Sequence, residues 1–424
     1  MTAEPRPWTQ PMPQEQFARL RAIVEAPSPI GLEAAMTRGV LEPMFSSFAL
    51  PGWTVHRFRG NAGIVLDTHP GREDLLKVML IGHADKIRLQ VRSIGDDGKI
   101  WIDSDSFLPA TLVGHEVTLF SEDPEQPGRY RALEGGTIEA IGAIHFADPK
   151  LKTGEIGIKK EMLYLELGLY GPERKQQVER LGIRAGDPIL LRRELRRGFA
   201  PQTFYGAYLD NGLGCFVVEE VARLLAARGG LEQLRVLFAI ATHEEVGRFG
   251  SRVLAHAFAP DVVIAADVSH DYAAAPGVSE RRLTPIAMGE GFTLSVGSIV
   301  SEQLNAWIQR AARRRGIPFQ KRVAGRDTGT DAMAAVLASI DAAAASIGFP
   351  IRNMHTISEL GHTGDVLGAI HALLGTLEDM AAANEGAGLS AEDLRAAHPR
   401  LDAAARLVAG AAAEGARGGE GAAG

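Results

Sequence analysis

Acidic and histidine side chains follow four apolar segments of this 424-residue chain. The segments are 75–81, 234–241, 262–266 and 345–351, and the residues that follow them are His83, Glu244 with Glu245, Asp267 and His355. One further acidic residue, Asp210, stands where a helix is predicted to begin. In open α/β sheets ligands bind outside the carboxyl ends of the strands, so we expect these side chains to meet in one crevice.

The residue types in this set are those that hold two divalent metal ions. A binuclear site needs a bridging carboxylate, and about one carboxylate and one imidazole for each ion. Asp210 suits the bridge. His83 and Asp267 could complete one metal position, and Glu245 and His355 could complete the other. The sequence therefore predicts one or two divalent ions, and it does not distinguish zinc, manganese and cobalt.

Two further carboxylates are predicted to act in catalysis without binding metal. Glu244 and Glu245 cannot both bind metal at one strand end without crowding two like charges, so Glu244 is predicted to be the general base. Asp85 lies two residues after His83, on the same side of an extended strand, and can accept the second N–H of that imidazole. A lone residue of this kind is more often a cap or a surface charge, so the prediction depends on the whole set.

The motifs resemble those of the co-catalytic metallo-aminopeptidases of the glutamyl-aminopeptidase and tetrahedral-aminopeptidase family, over about residues 19–384. The matching motifs are His83-Ala84-Asp85, Leu209-Asp210-Asn211, Glu244-Glu245-Val246-Gly247, Asp267-Val268-Ser269-His270 and the late His355. The resemblance implies the same five metal ligands and the same base, Glu244. It also implies that an inserted domain mediates subunit contacts, and hence a homo-oligomer.

Departures from the family pattern concern the substrate. Family members usually read His-x-Asp-Glu-Ile-Gly, whereas this chain has Lys86 and Arg88 after Asp85, and they usually have Asp-Arg after the bridging Asp, where this chain has Asn211-Gly212. A basic rim suits a substrate carboxylate better than a free ammonium. Lys86, Arg88, Asn211 and Arg326 are therefore predicted to contact substrate. The alternatives are that Lys86 and Arg88 are solvated strand-edge charges, and that the loop of Arg326 only leads into a helix.

These observations predict a metal-dependent hydrolase of a C–N bond. The preferred hypothesis is a small-molecule aminohydrolase that releases ammonia from an anionic nitroaromatic amine, such as 5-nitroanthranilate, by attack of metal-bound hydroxide. A cationic side chain near the nitro or carboxylate group would stabilise the charge that develops there. The alternative is a metallo-aminopeptidase that acts on short peptides. A non-catalytic scaffold is a third alternative, and the complete ligand set argues against it.

Composition excludes other classes of protein. A net charge of −7 and a pI near 6.0 argue against nucleic-acid binding. The single cysteine, Cys215, forms no internal disulfide and fits a reducing cytoplasm, which is the predicted location. The first residues have no secretory h-region, and no stretch reaches the ~18 apolar residues of a membrane span. The expected partners are a small-molecule substrate and other copies of the chain.

The predicted fold class is α/β, a three-layer α/β/α metallopeptidase-like catalytic domain with an inserted small β-rich domain. Residues 1–88 and 200–385 are predicted to form the catalytic domain in two parts. Residues 89–199 have short alternating strands and turn signals and are predicted to be the inserted oligomerisation domain. Residues 386–424 are a Gly/Ala-rich tail whose end is expected to be disordered.

Overall fold

The fold is taken from a computed structural model, which describes residues 6–103, 106–278, 281, 283–337, 341–387 and 393–394. The predicted C-terminal tail, 386–424, lies almost entirely outside the described residues. Buried Leu394 is one of its described positions, and its carbonyl accepts a 2.7 Å hydrogen bond from the Ser301 hydroxyl.

An eight-stranded sheet forms the centre of the catalytic domain, in the order β1-β2-β12-β3-β13-β16-β14-β15. Its strands are β1 Thr54–Arg57, β2 Gly63–Asp67, β3 Leu76–His83, β12 Leu234–Ala241, β13 Val262–His270, β14 Phe292–Val296, β15 Phe319–Val323 and β16 Ala343–Ile351. The four neighbouring strands from β12 to β16 are parallel. These strands are buried along almost their whole length, as parallel strands covered on both faces must be.

Helices cover both faces of this sheet. The helices of the catalytic domain are α1 Gln14–Glu25, α2 Ala34–Met36, α3 Glu42–Phe48, α6 Leu209–Ala227, α7 Phe249–Phe258, α8 Glu302–Arg315, α9 Asp331–Leu337 and α10 Thr363–Ala387, and a π-helical turn, Thr37–Leu41, joins α2 to α3. Two short helices, α4 Pro149–Thr153 and α5 Arg174–Arg180, belong to the insertion. α1, α3, α6, α8 and α10 pack together on one face, and α7 and α9 pack on the other. The predicted three-layer α/β/α class is confirmed.

The insertion is a closed six-stranded barrel in the order β4-β5-β8-β7-β6-β9. Its strands are β4 Leu89–Ile94, β5 Ile100–Asp103, β6 Glu116–Glu122, β7 Tyr130–Glu139, β8 Tyr164–Glu166 and β9 Pro188–Leu191. The barrel has its own apolar core, which includes Leu89, Ile102, Leu119 and Ile189. A small β-rich module typically has exposed strand edges for a partner to cover. Closure of the barrel gives each strand two neighbours, but among the described residues, 130–136 of β7 pair with β6 alone, so an unpaired edge remains there.

A second, three-stranded sheet lies where the chain leaves the barrel and returns to the catalytic domain. It consists of β10 Arg196–Arg197, β11 Thr203–Gly206 and β17 Glu359–His362, in that order. Residues 196–197, which were predicted to belong to the insertion, thus pair with a strand of the catalytic domain. Within α10, residues Thr363–Glu385 are long and apolar enough to cross a membrane, but most of this stretch is buried against α6 and α8.

Candidate metal centre

Two of the predicted ligands lie on adjacent central strands. His83 is the last residue of β3, and Asp267 lies near the end of β13, the parallel neighbour of β3. Both side chains are buried. His83 Nε2 lies 3.7 Å from Asp267 Oδ1. The two residues therefore meet at the carboxyl edge of the sheet, as the sequence predicts.

Asp210 reaches the same point from the first turn of α6. Its backbone is extended (φ −79°, ψ 110°), and the peptide bond that follows it is cis. Asn211 holds this turn in place, because its Nδ2 donates to the Ala266 carbonyl at 2.9 Å and its Oδ1 accepts from Gly214 N at 2.8 Å. Both polar atoms of Asn211 are thus used inside the protein, so its predicted contact with substrate is wrong.

The two oxygens of Asp210 face different imidazoles. Oδ1 lies 3.4 Å from His83 Nε2, and Oδ2 lies 3.3 Å from His355 Nε2. Glu245 Oε1 in turn lies 3.8 Å from His355 Nε2. The ligand atoms of His83, Asp210 and Glu245 all lie within 4.8 Å of one another. This is the arrangement expected of a carboxylate that bridges two metal positions, with His83 and Asp267 on one side and Glu245 and His355 on the other.

Asp85 binds the turn that carries the two glutamates. Its Oδ1 and Oδ2 accept hydrogen bonds from the backbone amides of Glu244 and Glu245, each at 3.0 Å. Its Oδ1 also lies 3.4 Å from Nδ1 of His83. Burial alone would raise the pKa of Asp85, but His83 and the two amides outweigh burial and lower it. Asp85 therefore stays charged and orients one predicted ligand together with the predicted base.

Glu244 lies at the edge of the centre and contacts a basic side chain. Its Oε2 is 3.9 Å from His83 Nε2, and its Oε1 accepts a 3.0 Å hydrogen bond from Arg248 Nε. Arg248 is itself held by Asp327 at 2.9 and 3.0 Å. Burial, opposed in part by the positive charge of His83, raises the pKa of Glu244. A raised pKa is what a carboxylate needs in order to accept and return a proton near neutral pH.

The charge balance of the centre fits bound cations. Burial, followed by the charge of Asp210, raises the pKa of Glu245 to about 10. Burial also raises the pKa of Asp267 well above its ordinary value. Among the described residues Glu245 Oε1 is buried without a hydrogen-bond partner. Crowded carboxylates that resist ionisation, together with an unpartnered oxygen, are the expected state of a ligand set whose charge divalent ions neutralise.

Lys86 does not face this centre. Its ammonium is buried and donates to the carbonyls of Val24, at 2.7 Å, and Ala26. It also lies 5.2 Å from the centroid of the Tyr208 ring. The predicted place of Lys86 on a basic rim is wrong, because the chain after His83 turns under the end of α1 and directs this side chain towards the free carbonyls there.

The other two basic residues predicted to contact substrate differ in how far they are buried. Arg88 is half-buried, and its terminal nitrogens donate to the Ile30 carbonyl at 2.8 Å and to Gln90 Oε1 at 3.1 Å. Arg326 is exposed in the loop that precedes α9, and its contact with substrate stays a prediction. Arg248 and Arg252, which the sequence did not single out, line a cavity of about 420 Å³ together with Glu244 and Glu245.

Sequence reasoning also missed Glu359, a buried residue of β17. Its carboxylate accepts hydrogen bonds from the backbone amides of Leu209, Asp210 and His355. Burial and the charge of Asp210 raise the pKa of Glu359 to about 8, although the amides act against them. A glutamate four residues after a predicted ligand is the signal that could have drawn attention to it.

Comparison with known proteins decides the family. Residues 63–371 match the family described as M42 glutamyl aminopeptidase. The chain belongs to this family. It is 26% identical to the lysyl aminopeptidase of Pyrococcus furiosus over 368 residues, which cover 85% of this chain and 96% of the relative. As an M42 protein the chain is a metal-dependent hydrolase, which confirms the predicted enzyme class and the need for divalent metal.

Solved structures of similar fold include TET aminopeptidases. One, from a marine sediment Thaumarchaeota archaeon, has a TM-score of 0.73 and 20% identity, with coverage of 86% of this chain and 98% of that chain. A TET peptidase of Pyrococcus horikoshii has a TM-score of 0.67 and 20% identity, with coverage of 85% and 99%. That peptidase can assemble into a tetrahedron or a large octahedral shell. At these identities the likeness shows the fold alone.

Proposed function

We propose that the protein is a metallo-aminopeptidase that removes N-terminal residues from short peptides. The single observation that carries the proposal is the burial of Lys86, because the anionic-substrate hypothesis depended on a basic rim that included it. Of the two basic residues of that rim, Lys86 is turned away from the centre, and half-buried Arg88 donates to the Ile30 carbonyl and to Gln90. The family match supports the same activity.

The proposed ligands are His83, Asp210, Glu245, Asp267 and His355. Bound divalent ions would polarise the scissile carbonyl and make water more acidic. The protein residues then perform the proton transfers. Glu244 accepts a proton from the attacking water on one carboxylate oxygen and returns it to the leaving nitrogen of the peptide. Arg248 keeps the carboxylate of Glu244 in place, and Asp85 holds the backbone amide of Glu244.

A second candidate is the aminohydrolase of an anionic aromatic amine, and one observation favours it. The cavity beside Glu244 and Glu245 is also lined by Arg248 and Arg252, and the Arg252 side chain is exposed. Arg252 could receive a carboxylate or nitro group, since a guanidinium binds such groups bidentately. Arg248 is less available, because Glu244 and Asp327 already pair with it.

We also propose that the protein acts as a homo-oligomer in the cytoplasm. Related TET peptidases assemble into large shells. The inserted barrel exposes large apolar side chains, with Phe146 at 91%, Tyr170 at 84% and Leu108 at 66% exposure. We propose these three side chains as contact residues, since apolar side chains that lie together on a surface mark interaction sites. The free, buried Cys215 fits a reducing compartment.

A substrate panel tests the two candidates directly. Metal-loaded protein is incubated with aminoacyl anilides and short peptides, with the same peptides acetylated at the N-terminus, and with 5-nitroanthranilate. We expect cleavage of the free peptides, none of the acetylated ones, and loss of activity in Glu244→Gln. Release of ammonia from 5-nitroanthranilate without peptide cleavage would refute the aminopeptidase proposal and establish the second candidate.

A further inference from the structure

Glu359 connects the two segments that carry Asp210 and His355. Its Oε2 accepts hydrogen bonds from Leu209 N at 2.6 Å and Asp210 N at 3.3 Å, and its Oε1 accepts one from His355 N at 2.8 Å. The side chain is buried. One rigid carboxylate group thus sets the separation between two backbone segments that lie 145 residues apart in the chain.

Both segments have a backbone conformation that requires support. Tyr208, just before Leu209, has φ 62°, and His355 itself has φ 60°. Non-glycine residues seldom adopt this left-handed region, and when they do, surrounding contacts must hold them there. The backbone amides that donate to Glu359 lie at or next to both positions. Without them, these turns are free to relax and to move Asp210 and His355 apart.

The two ligands that belong only to the other metal position, His83 and Asp267, do not depend on such a contact. His83 pairs with Ala241 in the β3–β12 ladder, and Asp267 pairs with Gly348 in the β13–β16 ladder. These residues are positioned by central strands of the sheet. His355 and Glu245, by contrast, lie in turns that follow β16 and β12. The two proposed metal positions therefore differ in how firmly the fold holds them.

We infer that Glu359 is a positioning residue that preorganises the metal position formed by Asp210, Glu245 and His355. The inference rests on the metal centre and not on the choice between peptide and aryl-amine substrates. A carboxylate is required, because both of its oxygens must accept hydrogen bonds from backbone amides. A glutamine offers one carbonyl oxygen, and its NH₂ group would face a backbone N–H of either Leu209 or His355.

Metal binding to chelator-stripped protein tests this inference, measured by calorimetry with manganese or zinc as the probe. We expect Glu359→Gln to bind one ion with a smaller loss, through the shared Asp210, and to bind the second about 10- to 100-fold more weakly, the usual effect of losing a partner behind a metal ligand. Glu359→Asp keeps both oxygens on a shorter stem. It should give a smaller loss and serves as the second variant.

Asp365 provides a matched control. Its carboxylate is also buried and also accepts two backbone amides, from Gly289 at 2.7 Å and from Gly291 at 2.8 Å, but it contacts none of the proposed ligands. Asp365→Asn should lower thermal stability and leave both metal affinities unchanged. If Glu359→Gln behaved in the same way, Glu359 would have only a structural role and the inference would be overturned.

A measurement on the wild type makes the test independent of how the variants fold. In metal-free protein the amide hydrogens of Leu209 and His355 should exchange slowly with solvent, because Glu359 binds them whether or not metal is present. Fast exchange of both amides would show that the carboxylate does not hold these turns. Neither readout uses a substrate, so failure of this inference and failure of the proposed aminopeptidase activity are distinguishable.

Discussion

The burial of Lys86 leads to a prediction about stability. Replacing Lys86 with Met keeps the unbranched apolar stem and removes the donors to the carbonyls of Val24 and Ala26. Each buried carbonyl that loses its partner costs about 1–3 kcal/mol, so the two together cost about 2–6 kcal/mol. Folded domains are stable by only about 5–15 kcal/mol. The substitution should thus weaken the protein clearly wherever the wild-type lysine is neutral.

Burying the charged form of Lys86 also destabilises the folded wild-type protein. Burial, the dominant cause, lowers the pKa of Lys86 from 10.5 to about 7. Since the folded-state pKa is the lower one, the unfolded chain binds more protons between these two values, and stability rises with pH across that interval. From pH 6 to pH 9 the gain from this group is about 2–3 kcal/mol at 1.36 kcal/mol per pKa unit. Lys86→Met lacks this gain.

The destabilisation caused by Lys86→Met should therefore be larger at pH 9 than at pH 6, by about 2–3 kcal/mol. Urea unfolding of chelator-stripped protein at both pH values measures the difference, and the remaining titrating groups contribute equally to wild type and variant. Lys159→Met, at an exposed lysine, is the control, and its unfolding free energy should differ little from that of the wild type because no buried contact is lost. A difference for Lys86→Met that stays constant with pH, together with an altered substrate preference, would refute this reasoning and return Lys86 to the substrate rim.

Two further predictions follow from the centre and from the barrel. Glu244→Gln should retain metal and lose at least about 100-fold in kcat, because a general base contributes about 10²–10⁴-fold. Near-normal turnover of this variant would disprove the assignment of the base. Asp210→Asn should instead lose metal, as measured by elemental analysis. Light scattering should show a homo-oligomer at micromolar concentration, and Phe146→Asp on the barrel should shift it towards smaller species; an unchanged assembly would exclude this surface as the contact.

Several elements were predictable from local patterns, and others were not. β12 has the bounds of the apolar segment identified in the sequence, Leu234–Ala241, since a continuous apolar run is a strong signal. β14 and β15 were not predicted. β15 is an edge strand with a polar centre, Gln320-Lys321-Arg322, and resembles a surface segment in sequence. α6 begins at Leu209, beside the Asp210 at which its start is predicted, but its first turn is irregular and is held by tertiary contacts of Asn211, which a local pattern does not show.

The sequence by itself determined which acidic and histidine residues stand at strand and helix ends, because strand ends are marked by local changes in hydropathy. It thereby determined the class of metal centre. Only the tertiary structure decided where the side chains beyond those ends point. Lys86 turns to the end of α1, and Glu359 joins the neighbouring His355 turn to the amide of Leu209, because the partners Val24 and Leu209 come from parts of the chain far away in sequence. Local patterns carry no information about such partners, since the direction of a side chain after a strand end is set by the groups that pack against it.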